Sequence, residues 1–241
     1  MRRDVMIDGV SLSDYFIVVD AAMSPLSIRG DGTEIAGRDG VVLAEATYAE
    51  RTIDVTLLLP SGTLEERHAA MRAFYARVDL KEEHRLYLSV DDGIYYEVRA
   101  DGDIEIEHGV TATKVVLHFV SEKPAGYGEE HTVTIPSGSS ATFTVGGNYP
   151  TRPTIEGTVN GNNDGNWGVR LDGGDYVRVK TNTTQGRAVS IDCEEGIAIV
   201  NSLVSMISLE SDWLVLYHGE HTITNDVGTG ACTVTWRERW L

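Results

Sequence analysis

The chain has 241 residues, of which 41% are hydrophobic and 24% are charged, a composition typical of a folded protein that buries a core. Its 37 acidic and 20 basic residues give a formal net charge of −17, which excludes the basic surface needed to bind nucleic acid by its phosphates. Arg2 and Arg3 are followed by Asp4 without a long apolar run, so we expect neither a signal peptide nor a membrane partner.

The N-terminal half alternates apolar and polar residues with a period of two, which indicates half-buried β-strands. Asp92-Gly93 and Asp101-Gly102 separate three of these strands and predict a three-strand meander, because glycine accepts the positive φ of a hairpin turn. The last strand of this half places Val115, Leu117 and Phe119 on one face. The strand candidates are residues 52–59, 85–90, 94–99, 104–107 and 114–120.

One helix interrupts the β pattern and is predicted from Leu64 to Val78. Thr63 and Glu66 form a capping box, in which each side chain accepts a hydrogen bond from the backbone of the other residue. Spacings of three and four predict an apolar stripe that packs on a sheet. The stripe consists of Leu64, Met71, Tyr75 and Val78.

Residues 121–128 lack periodicity and combine Pro124 with two glycines, which predicts a domain boundary. We therefore divide the chain into domain 1–123, with the helix, and domain 124–241. Many short strands without a helix predict that the second domain is a β-sandwich or jelly roll. Its strand candidates are residues 132–135, 142–145, 154–159, 168–171, 176–180, 188–192, 196–200, 221–224 and 233–240.

The sequence offers no catalytic residue, cofactor site or metal site, since the motifs for nucleophiles, phosphate loops and zinc proteases are missing. His218 and His221 would share a metal only on a helix, and Gly219 between them favours a surface turn. Residues 160–166 are rich in Asn like a calcium loop but lack its terminal Glu, so a hairpin loop is favoured. Cys193 and Cys232 are expected to be reduced core thiols.

Two tryptophans are candidate glycan contacts, because an exposed indole stacks on a sugar ring. They are Trp167, which follows the Asn-rich loop, and Trp213. Trp167 lies in a strand pattern with Val169 and Leu171, which favours the core as its location over a sugar site.

Five ordered segments resemble the distal tail (Dit) proteins of siphophages, from the opening strand to the basic and aromatic final strand. They are Ile7–Phe16, Gly37–Gly40, Val189–Gly196, Leu209–Leu216 and Val234–Trp240. One departure lies at Leu216–His221, where the family usually has Leu-x-Pro-Gly-x-Asn and this chain has His in place of both Pro and Asn. Gly219 keeps the turn, but the rigidity that proline supplies is lost.

The resemblance implies a structural, non-enzymatic protein of the virion tail tip, assembled in the cytoplasm of the bacterial host. An N-terminal β belt with one helix and a projecting hairpin would close six copies into a ring, and a C-terminal galectin-like β-sandwich would decorate it. The implied partners are further copies, tail tube proteins, a tail-associated lysin or tip protein, and receptor-binding proteins. DNA would pass through the ring without sequence-specific contacts.

Two other classes of function remain open at the level of sequence. A carbohydrate-binding module or adhesin would read host-wall glycans through the two tryptophans and the Asn-rich loops. A wall-degrading enzyme would require a carboxylate pair or a metal cluster, and no residues in the sequence single out either.

Overall fold

The computed structural model describes residues 4–30, 32–43, 46–59, 62–91, 93–109, 112–160, 167–179, 185–225 and 229–241. The chain divides into two compact units, and the boundary between them along the sequence lies between Gly126 and Tyr127. Both units are built mainly of β-strands, and the described residues contain one α-helix. This architecture confirms the predicted fold class of a β belt with one helix followed by a β-sandwich.

Two sheet paths make up the first unit, in the orders β2-β1-β9-β10 and β3-β8-β12-β11, and β10 also pairs with β12. Short ribbons β4-β7 and β5-β6 lie outside these paths. The strands are β1 (Val5–Ile7), β2 (Val10–Ser11), β3 (Ile17–Met23), β4 (Ile28–Arg29), β5 (Gly32–Glu34), β6 (Val41–Leu43), β7 (Thr47–Tyr48), β8 (Arg51–Leu59), β9 (His84–Leu88), β10 (Tyr95–Ala100), β11 (Glu105–His108) and β12 (Thr113–Ser121).

The longest pairing of the first unit joins β8 to β12 in antiparallel register from Thr113↔Leu59 to Ser121↔Arg51. Alternate residues of both strands enter the core, so the predicted inward faces are confirmed. The predicted meander is correct for β9 and β10 but wrong for β11, which pairs with β12. The turn in which Gly109 N donates to Ala112 O at 2.9 Å makes β11 and β12 a local hairpin.

The helix α1 (Leu64–Tyr75) begins with the predicted capping box, because Thr63 N donates to Glu66 Oε2 at 2.7 Å and Glu66 N donates to Thr63 Oγ1 at 3.3 Å. It ends at Tyr75, three residues before the predicted end. The buried face consists of Met71 and Phe74, so the stripe was wrong at Leu64 and Tyr75, which are 58% and 42% exposed.

The second unit contains two sheets, in the orders β13-β22-β15-β18-β19-β20 and β14-β21-β16-β17. One apolar core cluster draws on both sheets, which defines a sandwich. Its strands are β13 (Gly126–Ile135), β14 (Ser140–Val145), β15 (Thr154–Val159), β16 (Trp167–Leu171), β17 (Tyr176–Val179), β18 (Ala188–Asp192), β19 (Ile197–Val200), β20 (Leu203–Ser205), β21 (Gly219–Asn225) and β22 (Thr229–Trp240).

Candidate assembly surfaces

A two-stranded arm, defined here as residues 25–50, leaves the first unit between β3 and β8. At its base these strands are antiparallel neighbours, and Ser24 N donates to Thr52 O at 2.8 Å. The ribbons β4-β7 and β5-β6 form the arm. The Gly37–Gly40 turn lies between β5 and β6, and both glycines adopt a positive φ, 81° and 86°.

Every described side chain of the arm is exposed except that of Ala49, which is half-buried. Several of the exposed side chains are large and apolar, including Ile28 at 71%, Val41 at 53% and Ile35 at 47% exposure. An isolated two-stranded ribbon is marginally stable in water. Clustered exposed apolar side chains usually mark a protein interface. The arm is therefore a candidate surface for contact with another chain.

A second apolar surface lies at the edge strand β20 of the second unit. Leu203, Val204 and Met206 are 71%, 80% and 79% exposed. Residues 196–209 include no charged residue, although charged residues make up 24% of the chain. An exposed sheet edge offers unpaired backbone groups to a partner strand. The sequence pattern did not identify β20, because two residues, Asn201 and Ser202, form its turn with positive φ instead of the expected glycine.

A histidine and an aspartate fasten one turn in the first unit. Asp8, at φ 49°, accepts from Arg85 N at 2.8 Å through Oδ1 and contacts His84 Nδ1 at 2.7 Å through Oδ2. His84 Nε2 lies 2.7 Å from the carbonyl oxygen of Asp79. Oxygen atoms thus face both ring nitrogens of His84.

The second unit contains the same arrangement at Asp172, whose φ is 48°. Asp172 accepts from Thr222 N through Oδ1 and contacts His221 Nδ1 through Oδ2, each at 2.7 Å. His221 Nε2 lies 2.9 Å from the carbonyl oxygen of Tyr217. His221 therefore lies in β21, in agreement with the strand candidate 221–224, and β21 begins two residues earlier, at Gly219 of the predicted turn. In both units the aspartate precedes a glycine, so the Asp-Gly pairs were the available sequence signal.

The electrostatics of these turns favour ionised carboxylates. Burial raises the pKa of Asp8, but the hydrogen bond from the Arg85 backbone and the bond and charge of His84 outweigh it and hold the pKa below 3.8. Burial also raises the pKa of Asp172. The hydrogen bond from Thr222 N and the hydrogen bond and charge of His221 lower this pKa by more, so the net shift is downward. The pairs are structural, since both carboxylate oxygens and both ring nitrogens of each pair already contact a partner within the chain.

The two predicted glycan contacts differ in exposure. Trp167 is fully buried and its Nε1 donates to Thr158 O at 3.0 Å. This burial agrees with the core location that the strand pattern favoured for Trp167, and it leaves no face of the indole for the alternative, a sugar contact. Trp213 is half-buried, and a Cβ placed at Gly196 would lie 3.6 Å from its ring. Of these two tryptophans, only Trp213 presents part of its indole to solvent.

The other predicted sites fall as follows. Residues 161–166 of the Asn-rich loop lie outside the described residues. Cys193 and Cys232 are free and buried, and burial raises the pKa of their thiols to about 12 and about 11.

Within the described ranges no three His, Cys, Asp or Glu residues are grouped to hold a metal ion. Nor does any helix in those ranges have the length and apolar character needed to cross a membrane.

Comparison with known proteins places both halves of the chain in phage tails. Residues 8–121 match the phage tail protein RIFT-related domain, and residues 146–240 match the C-terminal domain of the siphovirus-type tail component. No curated protein matches the sequence.

The fold is similar to that of two solved phage proteins. The first is SPP1 Dit, described as a paradigm of the hub adsorption apparatus in phages that infect Gram-positive bacteria. It is 20% identical, the match covers 99% of each chain, and the TM-score is 0.79. The second is a chain of the phage P2 baseplate in its activated conformation with calcium. It is 11% identical over 99% of this chain and 98% of that one, with a TM-score of 0.56.

The two matched domains, in this order and over most of the chain, define a structural component of a siphovirus tail. The chain belongs to the siphovirus-type tail component (Dit) family. Membership confirms the predicted family and the predicted non-enzymatic role, and it makes the chain a virion tail component.

Proposed function

We propose that six copies of this chain close into a ring at the tail tip, assembled in the host cytoplasm. The ring joins the tail tube to a tail-associated lysin or tip protein. In this proposal domain 1–123 is the ring-forming belt and domain 124–241 is the outward galectin-like sandwich.

The observation that carries the proposal is the exposed apolar arm. Its side chains find no cover within their own unit, so a neighbouring copy supplies it. An arm that contacts a different surface on the next copy makes a heterologous interface, and such interfaces close into rings.

The negative charge suits a conduit for DNA. Six copies carry roughly −100 formal charge, from −17 per chain, and acidic walls repel phosphates. DNA then passes through the bore without binding. A measured bore potential that is positive would remove this part of the proposal and leave the ring intact.

The second unit offers the apolar edge at β20 to tip or receptor-binding proteins, by addition of a strand or by apolar packing. A carbohydrate-binding role keeps Trp213 as its one predicted contact, because Trp167 is buried. No specific observation favours sugar over protein on this unit.

Removal of the arm tests the ring. The base of the arm is a β3-β8 hairpin, so residues 26–50 can be replaced by Asn-Gly, a sequence that favours a two-residue hairpin turn. We expect the intact chain to form six-fold rings by mass photometry and negative-stain imaging, and the arm-deleted chain to remain monomeric with its fold retained by circular dichroism.

A second variant keeps the arm but carries Ile28→Thr and Val41→Thr, which removes apolar area without shortening the chain. It should weaken the ring in the same direction. A wild-type chain that stays monomeric at high concentration, both alone and with the tail tube protein, would contradict the proposal.

A further inference from the structure

A groove of about 200 Å³ opens on the first unit between α1 and the strands β8, β11 and β12. Its apolar lining consists of Leu59, Met71, Tyr75 and Ile106. Leu59 and Met71 form the buried floor, whereas Tyr75 and Ile106 are 42% and 46% exposed at the edges. Apolar side chains that remain exposed around a concave floor mark a place where another molecule binds.

Basic side chains surround this apolar floor. Arg67, His68, Arg72 and His108 belong to the lining, and no carboxylate does among the described residues. Arg67 Nη1 donates to Thr113 Oγ1 at 3.1 Å, which ties α1 to the start of β12. The Nε of the same guanidinium is buried and finds no acceptor within the described chain. The groove therefore combines apolar surface with positive charge, in a chain of net charge −17.

The strand β11 forms the open side of this groove. Among the described residues β11 pairs with β12 alone, and all four of its residues, Glu105–His108, are exposed. In an antiparallel ladder only alternate backbone N–H and C=O groups bond to one neighbour, so the remaining groups of β11 point away from β12. Such an open edge can hydrogen-bond an added strand.

The two faces of β11 differ in charge. Ile106 and His108 line the groove, together with the arginines of α1. Alternation along the strand turns Glu105 to the opposite face of the sheet. On that face lies a depression lined by four carboxylates and one histidine, which are Asp54, Asp101, Asp103, Glu105 and His118. An added strand would therefore meet positive charge on one face and negative charge on the other.

These charges decide which strand the edge accepts. Pairing with β11 of a second copy would place glutamates of both chains on one face, and like charges opposite each other destabilise a ladder. A strand with basic residues toward the acidic depression, and with apolar and acidic residues toward the groove, complements both faces. The charge pattern thus favours a segment of a different protein over a second copy of this edge.

We propose that β11 is a docking edge for an extended segment of another protein, which adds to it as a strand. Alternate side chains of that segment enter the groove, an apolar one on Met71 and Ile106 and an acidic one beside Arg67 and Arg72. The side chains between them are basic and lie over the acidic depression. This docking edge does not involve the arm, and it is present whether or not six copies form a ring.

A synthetic peptide tests the edge on the full chain. The probe repeats Leu-Lys-Glu-Thr, which places Leu and Glu on one face of a strand and Lys and Thr on the other. The control repeats Leu-Glu-Lys-Thr, which has the same composition and no net charge but places Lys beside Leu. Fluorescence anisotropy should show that the probe binds at least about tenfold more tightly than the control. Equal affinities, or no binding of the probe, would overturn the inference.

Charge reversal at the groove gives a second measurement. Arg72→Glu should weaken binding of the probe roughly tenfold, because it places a carboxylate beside the acidic side chain of the peptide. Arg77→Glu is the matched control, since it makes the same change just past the end of α1 but outside the groove lining, and it should leave the affinity unchanged. Equal effects of the two variants would mean that the probe responds to overall charge and not to the groove, which refutes the inference.

Hydrogen exchange shows whether the probe adds as a strand. Backbone amides of Glu105–His108 should exchange more slowly with the probe bound, because an added strand bonds the groups that point away from β12. Binding without this protection refutes strand addition, and protection of β20 in its place assigns the probe to that edge and also refutes the inference. A chain that forms six-copy rings and binds no probe would refute the docking edge and leave the proposed ring standing.

Discussion

His84 Nδ1 lies 2.7 Å from Asp8 Oδ2, and this contact fastens the β1-β2 turn to the start of β9. His221 and Asp172 make the same contact, also at 2.7 Å, between the β16-β17 turn and β21. In each case the aspartate holds a backbone N–H with its other oxygen, so one carboxylate fixes both a side chain and a strand end.

Stability should depend on Asp8 in a pH-dependent way. The carboxylate has a lowered pKa in the folded chain, so its contribution is complete above the unfolded pKa of about 3.9 and is lost as pH falls through the folded value. Asp8→Asn should therefore cost more stability at pH 7 than at pH 3, as measured by urea unfolding. Asp39→Asn, at the tip of the arm, is the control and should change little. A cost for Asp8→Asn that is the same at both pH values would contradict the prediction.

Trp167→Ala should destabilise the second unit by about 3–5 kcal/mol, because it removes a fully buried indole and leaves a cavity. Trp213→Ala should cost about 1–2 kcal/mol, since Trp213 is only half-buried. Calorimetric melting of both variants measures the difference. Equal losses would show that the indole of Trp167 contributes no more to packing than that of Trp213.

Gly168→Ala should destabilise the second unit by about 2–4 kcal/mol. A Cβ at this position would collide with the backbone carbonyl oxygen of Val177 on β17, so the two strands would have to separate. Gly174→Ala is the matched control, because the nearest atom to a Cβ there is Leu171 O at 3.9 Å. Denaturant titration compares the two, and a Gly168→Ala midpoint close to that of the wild type would refute the argument.

Cys193 and Cys232 should resist alkylation in the native protein. Burial raises the pKa of these thiols to about 12 and about 11, so the reactive thiolate is scarce at pH 8 as well as inaccessible. Iodoacetamide followed by intact-mass measurement should find both unmodified in buffer and both modified in guanidinium. Rapid modification of either thiol without denaturant would be incompatible with the buried positions.

The local elements of the fold follow from the sequence, because their causes are local. The Thr63–Glu66 box fixes the start of α1, and strict alternation fixes the inward face of β8. The buried face of α1 was predicted less well. Phe74 packs edge-to-face on Phe16 with ring centroids 5.3 Å apart, and that distant partner determines which side of the helix is buried.

The assembly surfaces could be predicted only in part. The resemblance, to which Gly37–Gly40 contributes, implied a projecting hairpin with a role in a ring. The contact of His221 with Asp172 could not be predicted, because the two residues lie 49 positions apart in the sequence.

The bond between Ser24 and Thr52 has a consequence for how this protein can change over time. The chain leaves the sheet at Ser24 and returns to it at Thr52, opposite the same point. The pairing of β3 with β8 therefore does not depend on the length or composition of the arm. Mutations there can accumulate, and residues can be gained or lost, at little cost to folding. Selection then acts on the arm mainly through the protein surface that the arm contacts. Related phages can therefore change this contact while the rest of the chain stays constant.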